Sequence, residues 1–252
     1  MDTSTKNALS KVPEVTLLFW VIKIAATTLG ETGGDAVSMS MNLGYLIGTG
    51  IFLVVFLVAV FAQIKAKKFH PLLYWTTIIA TTTVGTTLAD FADRSLGIGY
   101  AGGSTLLLAL LLGSFFIWHR TLGSVSVSTV SSPKAEMFYW LTIMFSQTLG
   151  TALGDWTAGT AGLGYTGAAL VFGGLLVLVA AAYYWTNISR TLLFWAAFVL
   201  TRPLGAVVGD FLDKPLGAGG LALSRYSASA ALFAFILTSI LLFKHRAART
   251  TH

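Results

Sequence analysis

The sequence predicts an all-α integral membrane protein with eight transmembrane helices, arranged as four repeated helical hairpins. Composition is the first indication, because the chain is 55% hydrophobic and 10% charged, whereas soluble chains carry about 25% charged residues. The second is the presence of eight apolar stretches of the length, about 20 residues, that a helix needs to cross a bilayer. The third is a motif in which a Trp is followed ten residues later by Gly and fifteen residues later by Asp. Its four copies are Trp20/Gly30/Asp35, Trp75/Gly85/Asp90, Trp140/Gly150/Asp155 and Trp195/Gly205/Asp210.

Each predicted span follows from these patterns, since only helices or closed barrels cross lipid and the runs are too long and apolar for barrel strands. The spans cover 14–35, 43–64, 71–91, 99–118, 137–156, 163–185, 191–212 and 222–244. The odd spans carry the motif, and Gly-Tyr pairs open the second, fourth and sixth spans. Offsets of 55 residues within each half and 120 between halves predict a parallel 4+4 internal duplication. Residues 1–120 form the first half, 121–134 a flexible cytoplasmic linker, and 135–252 the second half.

The distribution of basic residues predicts the orientation. Most of them lie before the odd spans or after the last span: Lys6, Lys11, Lys65, Lys67, Lys68, Arg120, Lys134, Arg190, Lys244, Arg246 and Arg249. The alternate loops carry only Arg94, Lys214 and Arg225. The positive-inside rule therefore places both termini in the cytoplasm, with the Asp residues of the motif at the outer ends. The four Trp residues are expected to be anchors at the cytoplasmic interface.

Small residues four apart in the odd spans predict close helix packing. They are Gly30 and Gly34, Gly85 and Ala89, Gly150 and Gly154, and Gly205 and Gly209. Such pairs let two backbones approach each other closely in a membrane.

The recurring Asp is the main chemical indication in the sequence. We number each residue of a repeat by its distance along the sequence from the Trp, which is position 0. Positions 8, 11 and 15 then share one helix face. Those faces carry Thr28, Glu31 and Asp35; Thr83, Thr86 and Asp90; Thr148, Thr151 and Asp155; and Pro203, Ala206 and Asp210. If the odd helices meet at an axis, the faces form a polar column open to the outside. Its oxygen ligands suit a hard divalent cation, so Glu31, Asp35, Asp90, Asp155 and Asp210 are the candidate ion-binding and metal-ligating residues. The alternative is that each Asp only ends a helix in water, although a carboxylate there opposes the helix dipole.

Two basic residues and one amide lie deeper in the predicted spans. Arg202 occupies position 7, where Thr27, Thr82 and Gln147 are its counterparts, and Lys23 lies nearer the cytoplasmic end. Charged groups inside a membrane normally face the bundle interior with a partner. Arg202 is therefore expected either to form a buried ion pair, with Glu31 or one of the aspartates, or to act as a gate. Lys23 and Gln147 are expected to share this gating or ion-pairing role, and the alternative for Lys23 is that it extends towards the cytoplasm.

Several function classes are not supported. No cysteine is present, the net charge of +6 forms no single patch, and no phosphate loop, nucleophile elbow or zinc-protease helix occurs. We therefore expect no enzyme activity, no cofactor and no nucleic-acid partner. The expected partners are the lipid bilayer and a divalent cation, and a homo-oligomer is left open.

The stretch from Leu200 to Gly205 and on through Gly209 to Pro215, with the earlier Gly-Asp copies, resembles a bacterial family of repeat-containing membrane-anchored proteins. That resemblance covers nearly the whole chain and implies a polytopic inner-membrane protein. Residues Glu31 to Asp35 are also similar to the Glu-x-Gly-Asp signature of cation/proton exchangers, with one residue inserted. The function expected from the sequence is divalent-cation transport, with manganese export as the specific case. The alternatives are a non-transport scaffold or envelope-stress protein, and a transporter of a small anionic substrate.

Overall fold

The computed structural model describes residues 10–248 as an all-helical protein. Lys6 and Arg249, two of the basic residues used to assign the orientation, lie outside this range. The helices are α1 (Leu17–Asp35), α2 (Gly44–Lys65), α3 (Pro71–Asp90), α4 (Tyr100–Leu122), α5 (Pro133–Asp155), α6 (Gly164–Trp185), α7 (Arg190–Asp213) and α8 (Arg225–Leu242).

Local sequence signals set several of these boundaries. Thr16 caps α1 by accepting a hydrogen bond from the Phe19 amide at 3.3 Å, and Ser132 caps α5 in the same way. Pro71 and Pro133 occupy first-turn positions of α3 and α5, where a missing amide hydrogen costs nothing. Five-residue π-helical turns follow the motif Asp in the first three repeats: Ala36–Ser40, Phe91–Ser95 and Trp156–Thr160. Such turns are rare in proteins and frequently occur at functional sites.

The four odd helices form a closed inner ring. Helix α1 packs on α3, α3 on α5, α5 on α7, and α7 returns to α1. Each even helix lies outside this ring and packs mainly on the odd helix of the next repeat: α2 on α3, α4 on α5, α6 on α7 and α8 on α1. The two helices of one predicted hairpin are therefore not each other's main packing partners.

Five helices, α2, α4, α6, α7 and α8, are long and apolar enough to cross a membrane. Of the eight predicted spans, five therefore have the length and apolar composition of a membrane-spanning helix. Helices α1, α3 and α5 are more polar, and most of their side chains are buried against protein. The outer helices instead expose large apolar side chains such as Leu46, Val54 and Phe61, each more than 60% exposed. Faces of this kind indicate contact with lipid or a partner.

We call the two ends of the ring the Trp end and the Asp end. The Trp end is filled with aromatic side chains, because Trp75, Trp140 and Trp195 are buried and pack edge-on against neighbouring rings. The prediction of interface anchors is therefore wrong for these three residues, whereas Trp20 is half-buried. The centre of four converging helices has to be filled, and large rings fill it. Beside them the hydroxyls of Tyr74 and Tyr139 share a 2.6 Å hydrogen bond.

A cap of three segments covers the Trp end. It consists of residues 10–12, residues 127–130 of the connection between halves, and Ala248. The Lys11 ammonium lies 2.6 Å from Glu136 Oε1 at the start of α5, and the Ala248 amide donates to the Val12 carbonyl at 2.8 Å. Val127 and Val130 are each 1% exposed. Within the segment 121–134, for which the sequence predicts a flexible linker, Ser126, Val127 and Val130 are thus packed against the rest of the protein.

Candidate functional site

Glycines bring the inner helices together in a cyclic pattern. The position-10 glycine of each repeat faces the position-7 residue of the next repeat: Gly30 faces Thr82, Gly85 faces Gln147, Gly150 faces Arg202 and Gly205 faces Thr27. A Cβ atom on Gly85 would lie 2.9 Å from the Gln147 carbonyl carbon. At position 14, Gly34 faces Thr86, Gly154 faces Ala206 and Gly209 faces Glu31. All seven glycines named as packing residues therefore lie at close helix contacts, which bring the polar positions of the ring near its axis.

Arg202 reaches the centre of the ring. Its Nη2 atom lies 2.9 Å from Glu31 Oε2 and also donates to the hydroxyls of Thr86 and Thr151. These three acceptors are the position-11 residues of the other three inner helices. Arg202 is fully buried. The sequence predicted an ion pair with Glu31 or with one of the aspartates, and Arg202 contacts Glu31. One guanidinium from α7 thus connects all four inner helices at a single level.

The hydroxyls at position 8 do not join a central column. Thr28, Thr83 and Thr148 donate to carbonyls four residues earlier on their own helices. The predicted polar face is therefore incomplete at this level, because a helical threonine readily satisfies its hydroxyl locally.

Two basic residues connect the four motif aspartates at the Asp end. Arg94 lies 2.9 Å from Asp90 Oδ1 in its own repeat and 3.0 Å from Asp155 Oδ2 in the next. Lys214 lies 2.8 Å from Asp210 Oδ1 in its own repeat and contacts Asp35 Oδ2 in the next. Both basic residues occupy position 19, so the two clusters are related by the same two-fold repeat as the halves of the chain. A carboxylate at the carbonyl end of a helix opposes the helix dipole, and pairing with a basic side chain offsets this unfavourable interaction.

Two further carboxylates, at position 18, join the site. Asp213 contacts Arg225, whereas the Oδ1 atom of Asp93 is buried without a hydrogen-bond partner. Burial and the neighbouring Asp155 raise the pKa of Asp93 to about 6, although Arg94 opposes the shift. Burial alone would lower the pKa of Lys214, but the nearby carboxylates, led by Asp210 and Asp35, raise it above its ordinary value.

The Asp end carries an excess of negative charge. In residues 10–248 it holds six aspartates, each at most 8% exposed: Asp35, Asp90, Asp93, Asp155, Asp210 and Asp213. Only three basic side chains pair with them, namely Arg94, Lys214 and Arg225. Six carboxylates against three cations leave three acidic groups without compensation. Buried charge without compensation is costly, so such a site favours an additional cation or bound protons.

A cavity of about 240 Å³ opens at the Asp end and is lined by Arg94, Tyr100, Asp155, Tyr165 and Asp210, among others. Below it, one oxygen each from Glu31, Asp35 and Asp210 lie within 4.8 Å of one another. Oxygen ligands about 2.1–2.4 Å from a divalent ion are separated by up to about 4.8 Å, so this spacing fits one ion. Asp90 and Asp155 lie instead in the Arg94 cluster.

Lys23 and Gln147 lie away from the carboxylates. The Lys23 ammonium is fully buried, 3.4 Å from the Thr201 hydroxyl and 4.2 Å from the centre of the Phe198 ring. It therefore does not extend to the cytoplasmic interface. Gln147 is fully buried, and neither polar atom of its amide has a hydrogen-bond partner. The structure brings Glu31 and Arg202 together, whereas Lys23 and Gln147 do not contact that pair through a hydrogen bond or ion pair.

Arg94, Lys214 and Arg225 belong to the site, whereas their places in the loops had indicated only the orientation of the chain. The signal was present in the repeat alignment: position 19 is basic in repeats two and four, and position 18 is Asp in the same two repeats. A pair of charges that recurs in alternate repeats indicates a two-fold arrangement.

Comparison with known proteins gives one match. The family model described as Repeat of Unknown Function (DUF347) matches residues 18–69, 73–124, 138–189 and 193–250. Each matched segment contains one copy of the Trp-Gly-Asp motif, so the model divides the chain as the motif does. Neither the curated proteins nor the solved structures include a match. The resemblance to cation/proton exchangers has no support from these comparisons.

Proposed function

We propose that this protein, which belongs to the DUF347 repeat family, is a multi-pass membrane transporter of a divalent metal cation. The observation that carries the proposal is the Asp end of the inner ring, where six buried aspartates face three basic side chains. A pathway for a cation needs negative groups that are reachable from one side, and the 240 Å³ cavity reaches Asp155 and Asp210. The same excess of acidic groups weighs against an anionic substrate.

We also propose how the protein is oriented in the membrane. All eight helices span a bacterial inner membrane, with the four outer helices facing lipid and the inner helices shielded by them. The Trp end faces the cytoplasm, since the loops and termini there carry most of the basic residues. The Asp end then opens to the outside, and both termini are cytoplasmic.

Carboxylate oxygens and their spacing support the choice of a divalent ion. Hard cations such as Mn²⁺, Mg²⁺ and Ca²⁺ prefer carboxylate, hydroxyl and carbonyl oxygens, and no thiolate is available in this chain. Three carboxylate oxygens within 4.8 Å supply a first set of ligands. Manganese remains the specific case to test first.

The ring also defines what must move during transport. On the cytoplasmic side of Arg202 the axis is filled by Lys23, Ile78, Ile143 and Phe198 at position 3, all fully buried. The aromatic side chains and the cap lie beyond them. In the proposed transport cycle, this arrangement is a state that is accessible from the Asp end and closed at the Trp end, and passage of an ion requires both Arg202 and the cap to shift.

The test is uptake or release of Mn²⁺, Mg²⁺ and Ca²⁺ by proteoliposomes that contain the purified full-length protein. Asp35→Asn and Asp210→Asn keep side-chain size and remove charge, so each should reduce the transport rate by about tenfold or more. Glu14→Gln is the matched control, because Glu14 is an exposed carboxylate at the Trp end and should leave the rate unchanged. Absence of flux for all three ions in the parent protein would refute transport, and the packing-only scaffold would then be the better account.

A further inference from the structure

Lys214 and Arg94 occupy equivalent positions, but their surroundings differ. We call the oxygens of Glu31, Asp35 and Asp210 the Lys214 seat, and those of Asp90 and Asp155 the Arg94 seat. In the Arg94 seat, the position that corresponds to Glu31 is Thr151. The Lys214 seat therefore has three carboxylates and the Arg94 seat has two.

The two basic groups are also held differently. Besides its carboxylates, Arg94 donates to the hydroxyls of Tyr45 and Tyr100, each at 3.2 Å. The Lys214 ammonium is held by carboxylates: Asp35, Asp210 at 2.8 Å and Asp213 at 3.7 Å. A compact ammonium on a flexible stem is more easily displaced than a planar guanidinium that donates hydrogen bonds to several acceptors.

The Lys214 seat has capacity for a further ligand. Asp210 is only 3% exposed, and its Oδ1 atom, although 2.8 Å from Lys214 Nζ, accepts no hydrogen bond of good geometry. The same side chain lines the cavity that opens at the Asp end. An incoming cation thus reaches the Asp210 carboxylate, which Lys214 holds, before it reaches the buried Glu31.

Charge balance indicates which ions fit. The three carboxylates of the seat contribute three negative charges, and Arg202, which pairs with Glu31, contributes one positive charge. Arg225 also lies 3.8 Å from Asp35, but its charge is balanced by Asp213, with which it pairs more closely. When the Lys214 ammonium is included, the net charge of the seat and Arg202 is −1. A monovalent cation in place of the ammonium gives the same net charge of −1. A divalent ion in place of the ammonium makes the group neutral, which favours it in a buried site.

We propose, on the basis of the transport function proposed above, that Lys214 is a tethered competitor for the transported ion. Its ammonium occupies the position of a divalent cation between Asp35 and Asp210, and a cation that enters through the cavity displaces it. Asp213 receives the displaced ammonium, since it lies 3.7 Å away and already faces it. Return of the ammonium to the seat then expels the ion, so one side chain limits affinity and promotes release.

The first experiment measures Mn²⁺ binding to the purified full-length protein from the electron paramagnetic resonance signal of free Mn²⁺. A tethered group competes at an effective concentration on the order of millimolar. Lys214→Met should therefore bind one Mn²⁺ about tenfold or more tightly than the parent. Arg94→Met, the matched control, should show no such gain, and Glu31→Gln added to Lys214→Met should abolish it. Equal affinities of Lys214→Met and the parent would overturn the proposal.

The second experiment uses the unchanged protein and does not depend on how a variant folds. Acetic anhydride modifies free amines, and mass spectrometry reports the rate at each lysine. Mn²⁺ should raise the modification rate of Lys214 several-fold, because the displaced ammonium leaves the seat, and should not change that of the exposed Lys67. Binding of Mn²⁺ without any change at Lys214 would refute displacement.

The two proposals fail in different ways. If the parent transports Mn²⁺ in proteoliposomes but Lys214→Met gains no affinity and Lys214 labelling is unchanged, the competitor role is wrong and transport stands. If Lys214→Met binds Mn²⁺ more tightly but the parent moves no ion, the seat stands as a binding site and transport is wrong.

Discussion

Replacement of Gly205 by alanine tests the contact that closes the inner ring between α7 and α1. A Cβ atom at this position would lie 2.5 Å from Thr27 Cβ and 2.9 Å from the Thr27 carbonyl carbon. Ordinary carbon–carbon contacts begin at about 3.5 Å, so the two helices would have to separate by roughly 1 Å. One turn further along, Gly209 packs on Glu31, and the same separation would weaken the Arg202–Glu31 contact.

Overpacking of this kind costs about 1–3 kcal/mol, and the two coupled contacts place Gly205→Ala near the upper value. For a chain of this size, 1 kcal/mol corresponds to about 2–4 °C in melting temperature, so a decrease of about 6–12 °C is expected. The assay is thermal unfolding of the purified protein in detergent, followed by Trp fluorescence.

Gly173→Ala is the matched control. Gly173 lies in the middle of α6, and an added Cβ atom would meet no atom within 4 Å. Alanine also favours the helix, so this variant should melt at the temperature of the parent or slightly above it. A melting temperature of Gly205→Ala within about 2 °C of Gly173→Ala would refute the close α1–α7 contact.

Three further outcomes are expected. Arg202→Met should reduce stability by about 3–5 kcal/mol, since it leaves Glu31 buried without its basic partner, and adding Glu31→Gln should restore most of the loss in the same melting assay. The pKa of Asp93, about 6, lies above the value near 3.9 of an exposed Asp, so the stability gained from its bound proton is complete below about pH 4 and is lost as pH rises through 6. Asp93→Asn should therefore melt above the parent at pH 7.5 and approach it at pH 4.5, and an equal difference at both values would contradict this. An impermeant maleimide should label Ser95→Cys in intact cells but Lys67→Cys only after permeabilisation, and the reverse pattern would invert the proposed orientation.

Much of the fold could be predicted because the repeat makes equivalent positions visible. The spacing of Trp20, Trp75, Trp140 and Trp195 identified four units, and the small residues at positions 10 and 14 identified the packed faces. The order of neighbours in the outer layer could not be predicted, because a sequence gives no indication of which odd helix an even helix covers. The burial of the Trp residues was missed for a related reason, since an aromatic residue near a helix end fits both a lipid interface and a packed core.

The candidate site was predicted less completely than the fold. The sequence indicated convergence of the motif aspartates only on the condition that the odd helices meet at an axis. The cost of isolated charges in a membrane indicated a buried partner for Arg202 but left open whether it is Glu31 or an aspartate, and whether Arg202 acts as a gate. Arg94 and Lys214 were treated as loop charges because they lie just beyond the spans. Their role depends on π-helical or irregular turns that direct a side chain back towards the ring, and hydrophobic periodicity does not report such turns.

The packing of each even helix on the following repeat has a consequence for the origin of the chain. Half of it, two repeats long, would leave α4 without α5 and α1 without α8, so it could bury these faces only against a second copy. A symmetric dimer of such halves would form the same ring, but every cluster would then occur twice. Duplication and fusion into a single polypeptide remove that constraint. They permit one half to keep glutamate and arginine where the other has threonine and lysine. One cluster then combines Lys214 with Glu31 and the other combines Arg94 with Thr151, so a symmetric pair becomes two clusters that can evolve separately.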